Sequence, residues 1–233
     1  MAVVAFALAI AEMVVCAVLL VIFGLNMSKR VMRQSGAWLN ILMLSATFIL
    51  ALSQLLLCFG RTDALCTIDL YLFRFGLSLL LCGLVFKNYR IYRIFCNKTA
   101  TPLSITETSL TLKIFILIGA YMLFITVFVA VFGYDAIVVQ STKNRFYYYV
   151  ICNIPSRAWD VIFQVLLELF IFFLIVISLI LAWLTRNAGA EYRESTVLAT
   201  FSGVVAISFV IFFSLGRTLS DDSDAQIFRF VIQ

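Results

Sequence analysis

Long apolar runs separated by short polar connectors set the pattern of this chain. The runs cover about 3–25, 38–59, 66–95, 113–132, 159–184 and 195–215. Each reaches the roughly 20 residues that a helix needs to cross the ~30 Å hydrocarbon core of a bilayer. The connectors at 26–36, 60–65, 96–111, 133–158, 185–194 and 216–224 hold most of the charges. The last stretch, 225–233, is too short to span and reads as the start of a seventh helix. The pattern therefore predicts one all-α domain over 1–233, a polytopic transmembrane helix bundle with six complete spans and a stub. The first run is too long for the apolar core of a signal peptide and has no basic segment before it, so it reads as a spanning helix. The third run is the centre of the pattern, with a cysteine at its start, an arginine inside it and a basic, aromatic cluster at its end.

Composition agrees with this reading. Of 233 residues, 64% are hydrophobic and 12% charged, where a soluble domain carries nearer a quarter charged. The net charge of +5 is not a nucleic-acid signature, because the basic residues flank the apolar runs. One set of connectors carries Lys29, Arg30 and Arg33, then Lys87, Arg90, Arg93 and Lys98, then Arg186 and Arg193. The other set is less basic and includes Asp221, Asp222 and Asp224. The positive-inside bias makes the first set cytoplasmic and the N-terminus extracellular in a multi-pass plasma-membrane protein. The sequons Asn26-Met27-Ser28 and Asn97-Lys98-Thr99 then fall inside the cell and are expected to be unused. Histidine is absent, which removes His-ligated haem, His-based zinc sites and Ser-His-Asp chemistry. The six cysteines include no C-x-x-C pair. No catalytic constellation is visible, and the expectation is a protein that is not an enzyme and has no cofactor or metal.

Three sets of residues are candidates for function. Cys66 and Cys152 both fall on the extracellular side, where a disulfide is permitted; two unrelated thiols are the alternative. Arg74 lies about 12 Å below Cys66 along its helix. Asp160, Gln164 and Glu168 recur every four residues and share one face of the fifth span. Glu168 lies at a depth similar to that of Arg74, and Glu12 in the first span is the rival partner. A charge at such depth costs about 2.5–3.5 kcal/mol unless it finds a partner in the bundle. The cluster reads either as the floor of an outward-opening pocket for a small ligand or lipid headgroup, or as a structural pair that fixes helix rotation. Lys87 and Glu194 end the third span and open the sixth at the cytoplasmic face. There they are a breakable tie or simply two charges reaching for the interface.

Several motifs in this order resemble the seven-helix domain of class C G-protein-coupled receptors, most closely the GABA-B receptor subunits. They are the Cys66-Thr67 opening, Gly76, and Lys87-x-Tyr89-Arg90-Ile91 before Ile94-Phe95. To these add Leu181-Ala182-Trp183-x-Thr185-Arg186-Asn187, Arg193-Glu194-Ser195, and Ser35 followed by Leu39-Asn40. The resemblance implies a receptor that relays an extracellular signal to a heterotrimeric G protein and works as a homo- or heterodimer. It implies a disulfide between Cys66 and Cys152 and an inner ionic lock between Lys87 and Glu194. Arg90, Arg93, Arg186 and Arg193 would face the G protein. Arg74 departs from the family pattern, so its role is not inherited. The family's bilobed agonist-binding domain and a full seventh span are not within these residues, which is expected of a fragment, a truncated chain or an orphan-type receptor. The alternative of another class is a transporter or channel with Arg74, Glu168 and Glu12 lining a substrate path. No internal repeat or Gly/Pro-broken span supports it.

Overall fold

The computed structural model describes residues 2–26, 37–57, 62–96, 107–140 and 148–185, together with 200, 202–204 and 207. Five helices carry the described chain: α1 (Ala2–Asn26), α2 (Ala37–Leu57), α3 (Asp63–Cys96), α4 (Glu107–Phe132) and α5 (Arg157–Thr185). All five are long and apolar enough to cross a membrane. They match the first five predicted spans. Most of the sixth span, 195–215, and all of the stub, 225–233, lie outside the described residues. Helix and membrane boundaries differ most at α4, which begins at Glu107 rather than near 113. Hydropathy marks where the bilayer begins, whereas backbone hydrogen bonding extends the helix into the polar connector.

α3 is the central helix. Within its spanning segment 56% is buried, against 33% in α5 and 11% in α1. It packs against α2, α4 and α5, while α1 packs on α2. The main core joins Leu39, Leu42 and Ala46 of α2 to Leu79, Leu81, Cys82 and Val85 of α3. Ile114 and Ile118 of α4 and Ile171, Leu174 and Ile175 of α5 complete it. Lipid tails are as apolar as these side chains, so close packing rather than transfer from water holds the helices together. Two glycines of α3 set the approach of α2. A methyl group on Gly76 would lie 3.0 Å from Leu50 Cγ and 3.3 Å from the Ala46 carbonyl oxygen, and one on Gly83 would lie 2.8 Å from Met43 Cγ.

The long connector at 133–158, read from the sequence as a loop, adds a strand pair to the helical bundle. It folds into an antiparallel hairpin of β1 (Asp135–Gln140) and β2 (Tyr148–Asn153), with Asp135 opposite Asn153 and Ala136 opposite Cys152. Both strands are rich in β-branched or aromatic residues, which suit a pleated surface. Gly133 ends α4 at φ +73°, a left-handed backbone that turns the chain out of the helix, and its N–H bonds the Val129 carbonyl at 2.9 Å.

The two glycines differ in what a methyl group would strike. Met43 can swing aside, whereas the Ala46 carbonyl is fixed in its helix. Gly76→Ala is expected to destabilise the purified protein by about 1–3 kcal/mol. Gly83→Ala should fall within ~1 kcal/mol of wild type, since the gain in helix propensity offsets the crowding. Unfolding curves in detergent measure both, and a more harmful Gly83→Ala would contradict this account of the α2–α3 contact.

Candidate functional site

Polar contacts tie α3 to its neighbours at three heights. At the outer end, Thr62 stands before the first turn of α3. Its carbonyl accepts the Cys66 N–H at 2.9 Å, and its hydroxyl lies 3.4 Å from the Leu65 N–H. One turn in, Cys66 is bonded to Cys152 of β2, with the two Cα atoms 5.5 Å apart and the residues separated by 86 positions. Asp63 accepts the N–H of Ala136 at 2.8 Å, and Ala136 is the cross-strand partner of Cys152. One rung of the hairpin is thus held to α3 from both strands, covalently on one and through a charged acceptor on the other. The Thr67 hydroxyl adds a longer contact to the Tyr134 carbonyl at 3.5 Å.

At mid-height, Arg74 faces α5. Its Nη1 donates to Glu168 Oε1 at 3.0 Å and its Nη2 to Gln164 Oε1 at 3.3 Å. Gln164 and Glu168 are one turn apart on α5, so the fork of the guanidinium spans a single turn of the partner helix. The Arg74 side chain is 7% exposed and that of Glu168 31%, so the cluster is closed at the arginine and open at the glutamate. Asp160 lies two turns above Glu168 on α5 and is half-buried. Glu12 is not part of the cluster. It is exposed on α1, which packs on α2; similar depth did not place it on the face that looks toward Arg74. Tyr121 of α4 was not anticipated from the sequence. It is buried, stacks on Phe170 with ring centroids 4.1 Å apart, and lies beside Arg74 and Glu168. Its only signal was a phenol in an otherwise almost wholly apolar run.

At the inner end, Lys87 is nearly buried and donates to Asn40 Oδ1 of α2 at 2.7 Å. Glu194, its expected partner, lies outside the described residues, as do Arg186 and Arg193. The next residue, Asn88, turns the other way. Its amide donates to Ser178 Oγ of α5 at 3.2 Å, and that hydroxyl pairs with Ser202 Oγ at 3.1 Å. Arg90 and Arg93 occupy the last turns of α3, where the Arg93 guanidinium sits 5.9 Å from the centroid of the Tyr89 ring. Of the two sequon asparagines, Asn26 uses its amide to bond the Ile22 carbonyl at 2.7 Å.

A family model described as "7 transmembrane sweet-taste receptor of 3 GCPR" matches residues 1–232. No curated protein matches the chain.

The mid-height pair is open to a double-mutant test. Arg74→Leu leaves Glu168 without its cation, and a loss of about 3–5 kcal/mol in folding stability is expected. Adding Glu168→Leu should restore part of it, because a matched apolar pair needs no counter-charge. Thermal unfolding of the four proteins gives the coupling. Strictly additive losses would show that the two side chains do not act as a pair.

Proposed function

Because this chain belongs to the class C family of G-protein-coupled receptors, matched over residues 1–232, we propose that it is a GABA-B-like transmembrane relay. It is a multi-pass membrane protein and, in this reading, lies in the plasma membrane with its N-terminus extracellular. It passes an extracellular signal to a heterotrimeric G protein and acts as part of a homo- or heterodimer. The inner control is an ionic lock between Lys87 and Glu194.

The observation that carries the reading is Lys87. An ammonium held nearly buried at the inner end of α3 donates to the Asn40 amide of α2, and a buried charge persists where several partners share it. In this reading a carboxylate at the start of the sixth span is one of them and ties a third helix to the pair. Such a tie favours the resting arrangement and breaks at small cost when another arrangement is stabilised. The route to it is α3 itself. The helix runs unbroken from Asp63 to Cys96, roughly 50 Å, from the disulfide-held hairpin at one end to Lys87, Arg90 and Arg93 near the other. A displacement imposed on the hairpin therefore reaches the lock through one rigid element. Arg90, Arg93, Arg186 and Arg193 are the basic groups that face the G protein. The Arg74 cluster, in the same reading, floors an outer pocket for a small ligand or a lipid headgroup.

A transporter or channel is not favoured. That reading needs Arg74, Glu168 and Glu12 along one path, yet Arg74 is bound to α5 and Glu12 is exposed on α1.

Lys87→Ala and Glu194→Ala in the full-length receptor are expected to raise basal G-protein nucleotide exchange. Loss of a tie worth about 1 kcal/mol increases a minority active state about fivefold. Lys87→Arg, which keeps the charge, should stay near wild type. Unchanged basal exchange in both alanine variants would rule the lock out.

A further inference from the structure

Two buried polar residues follow one another at the inner end of α3 and reach different helices, Lys87 toward Asn40 of α2 and Asn88 toward α5. The second contact is wholly neutral and continues across α5 to the sixth span. Asn88 Nδ2 donates to the Ser178 hydroxyl at 3.2 Å and lies 3.5 Å from the Ser178 carbonyl oxygen. The Ser178 hydroxyl in turn lies 3.1 Å from that of Ser202. Asn88, Ser178 and Ser202 are each 1% exposed, so no bulk water competes for these bonds in a membrane interior. The described residues around Ser202 are helical, and Ser202 is the buried one among them; Thr200, Val204 and Ile207 are exposed. A methyl group on the adjacent Gly203 would meet nothing within 4 Å. Among the described residues, the sixth span thus meets the bundle at this height through a hydroxyl and not through a large apolar side chain.

A serine pair is distinguished by how easily it lets go. A serine on a helix can turn its hydroxyl to the carbonyl three or four residues earlier on the same helix, as Ser78 does with Phe75 in α3. Ser178 and Ser202 can each make that exchange by one side-chain rotation, so parting them leaves no orphaned donor. Arg74 has no such fallback, because separation from Glu168 leaves a charge inside the membrane. Asn88 keeps an acceptor as well, since the Ser178 carbonyl belongs to α5 and does not move with the sixth span. We infer that Asn88, Ser178 and Ser202 form a releasable latch. Asn88 orients Ser178, and the Ser178–Ser202 bond holds the sixth span at rest until a displacement of that span parts the two hydroxyls without separating charge. The inference rests on the relay reading but not on the Lys87–Glu194 lock. It gives the sixth span a second hold, buried and uncharged, eight residues after Glu194 in sequence.

Spin labels on cysteines introduced at Arg93 and Arg193 measure the distance between the inner ends of α3 and the sixth span. The measurement uses the full-length receptor in phosphatidylcholine nanodiscs, with its other accessible cysteines replaced by serine. Ser202→Ala should raise the population of a second, longer distance about fivefold, the loss of one hydrogen bond. Ser178→Ala should do the same, and the double variant should go no further, because the bond they share is lost only once. Thermal midpoints of all three should stay close to wild type, since each remaining hydroxyl falls back on its own helix. An unchanged distance distribution in the single variants would overturn the latch, and so would a double variant that shows the product of the two effects. Basal nucleotide exchange, measured on the unlabelled variants with Lys87→Ala alongside, reads the coupling and should rise about fivefold in Ser202→Ala. Exchange raised by Lys87→Ala but not by Ser202→Ala would show that charge alone controls the sixth span, against the latch. A wild-type receptor that stimulates no exchange while the distances still shift would overturn the relay reading and leave the latch as a mechanical hold.

Discussion

A polar side chain carried into a bilayer must find its partner inside the protein, and α3 is the helix on which this constraint falls hardest. It is flanked by α2, α4 and α5 and it carries Arg74, Lys87 and Asn88 into buried positions. Each of these needs a particular neighbour at a particular height. Arg74 is met by Glu168 and Gln164, Lys87 by Asn40, and Asn88 by Ser178. Apolar packing alone would let helices slide or rotate at little cost, since one leucine contact resembles another. The polar partners remove that freedom, and the glycines let the α2 seam close enough for the Lys87–Asn40 contact to form.

The ties differ in strength along the helix in a way that suits a relay. The outer end is covalent, through Cys66–Cys152, with Asp63 holding the opposite strand of the same hairpin rung. The middle is a buried ion pair backed by an amide. The inner end has hydrogen bonds to α2, α5 and Ser202 in place of a covalent link. Hydrogen bonds exchange partners more easily than a disulfide does, so the inner end is the one better suited to rearrange. That end carries the basic last turns of α3.

How much of this the sequence revealed follows from what periodicity encodes. Five spans were legible because an apolar run of membrane length has few other readings. The Arg74–Glu168 contact was legible because a charge in such a run is rare and the 160–164–168 row fixed one face of α5. Periodicity gives a residue's azimuth on its own helix but not which helix stands there. Lys87 is 13 residues beyond Arg74, a turn of about 220°, which places it on nearly the opposite side of α3. Asn88 returns to within about 40° of Arg74. Once α2 and α5 are known to flank α3, the partners Asn40 and Ser178 follow; without that knowledge they are ordinary polar residues. Glu12 failed for the same reason, since its depth was right and its azimuth was unknown. The hairpin was missed through its length. Its strands are β-branched and aromatic, but six residues each made little impression beside runs of twenty or more.

The two buried cations of α3 show why position alone does not assign a role. Arg74 uses two nitrogens of a rigid planar fork to hold two acceptors one turn apart on the same helix. Moving α5 relative to α3 would break both bonds together, and the fork cannot follow one partner without losing the other. Lys87 is a point charge on a flexible stem, with a hydrogen bond of 2.7 Å to a neutral amide of α2. It can trade one oxygen for another by rotating its stem, without any shift of the helix. Arginine at 74 therefore fixes the α3–α5 register, and lysine at 87 suits a contact that is made and released. Exchanging the two residue types would preserve the charge of each site while reversing which end of the helix is free to move.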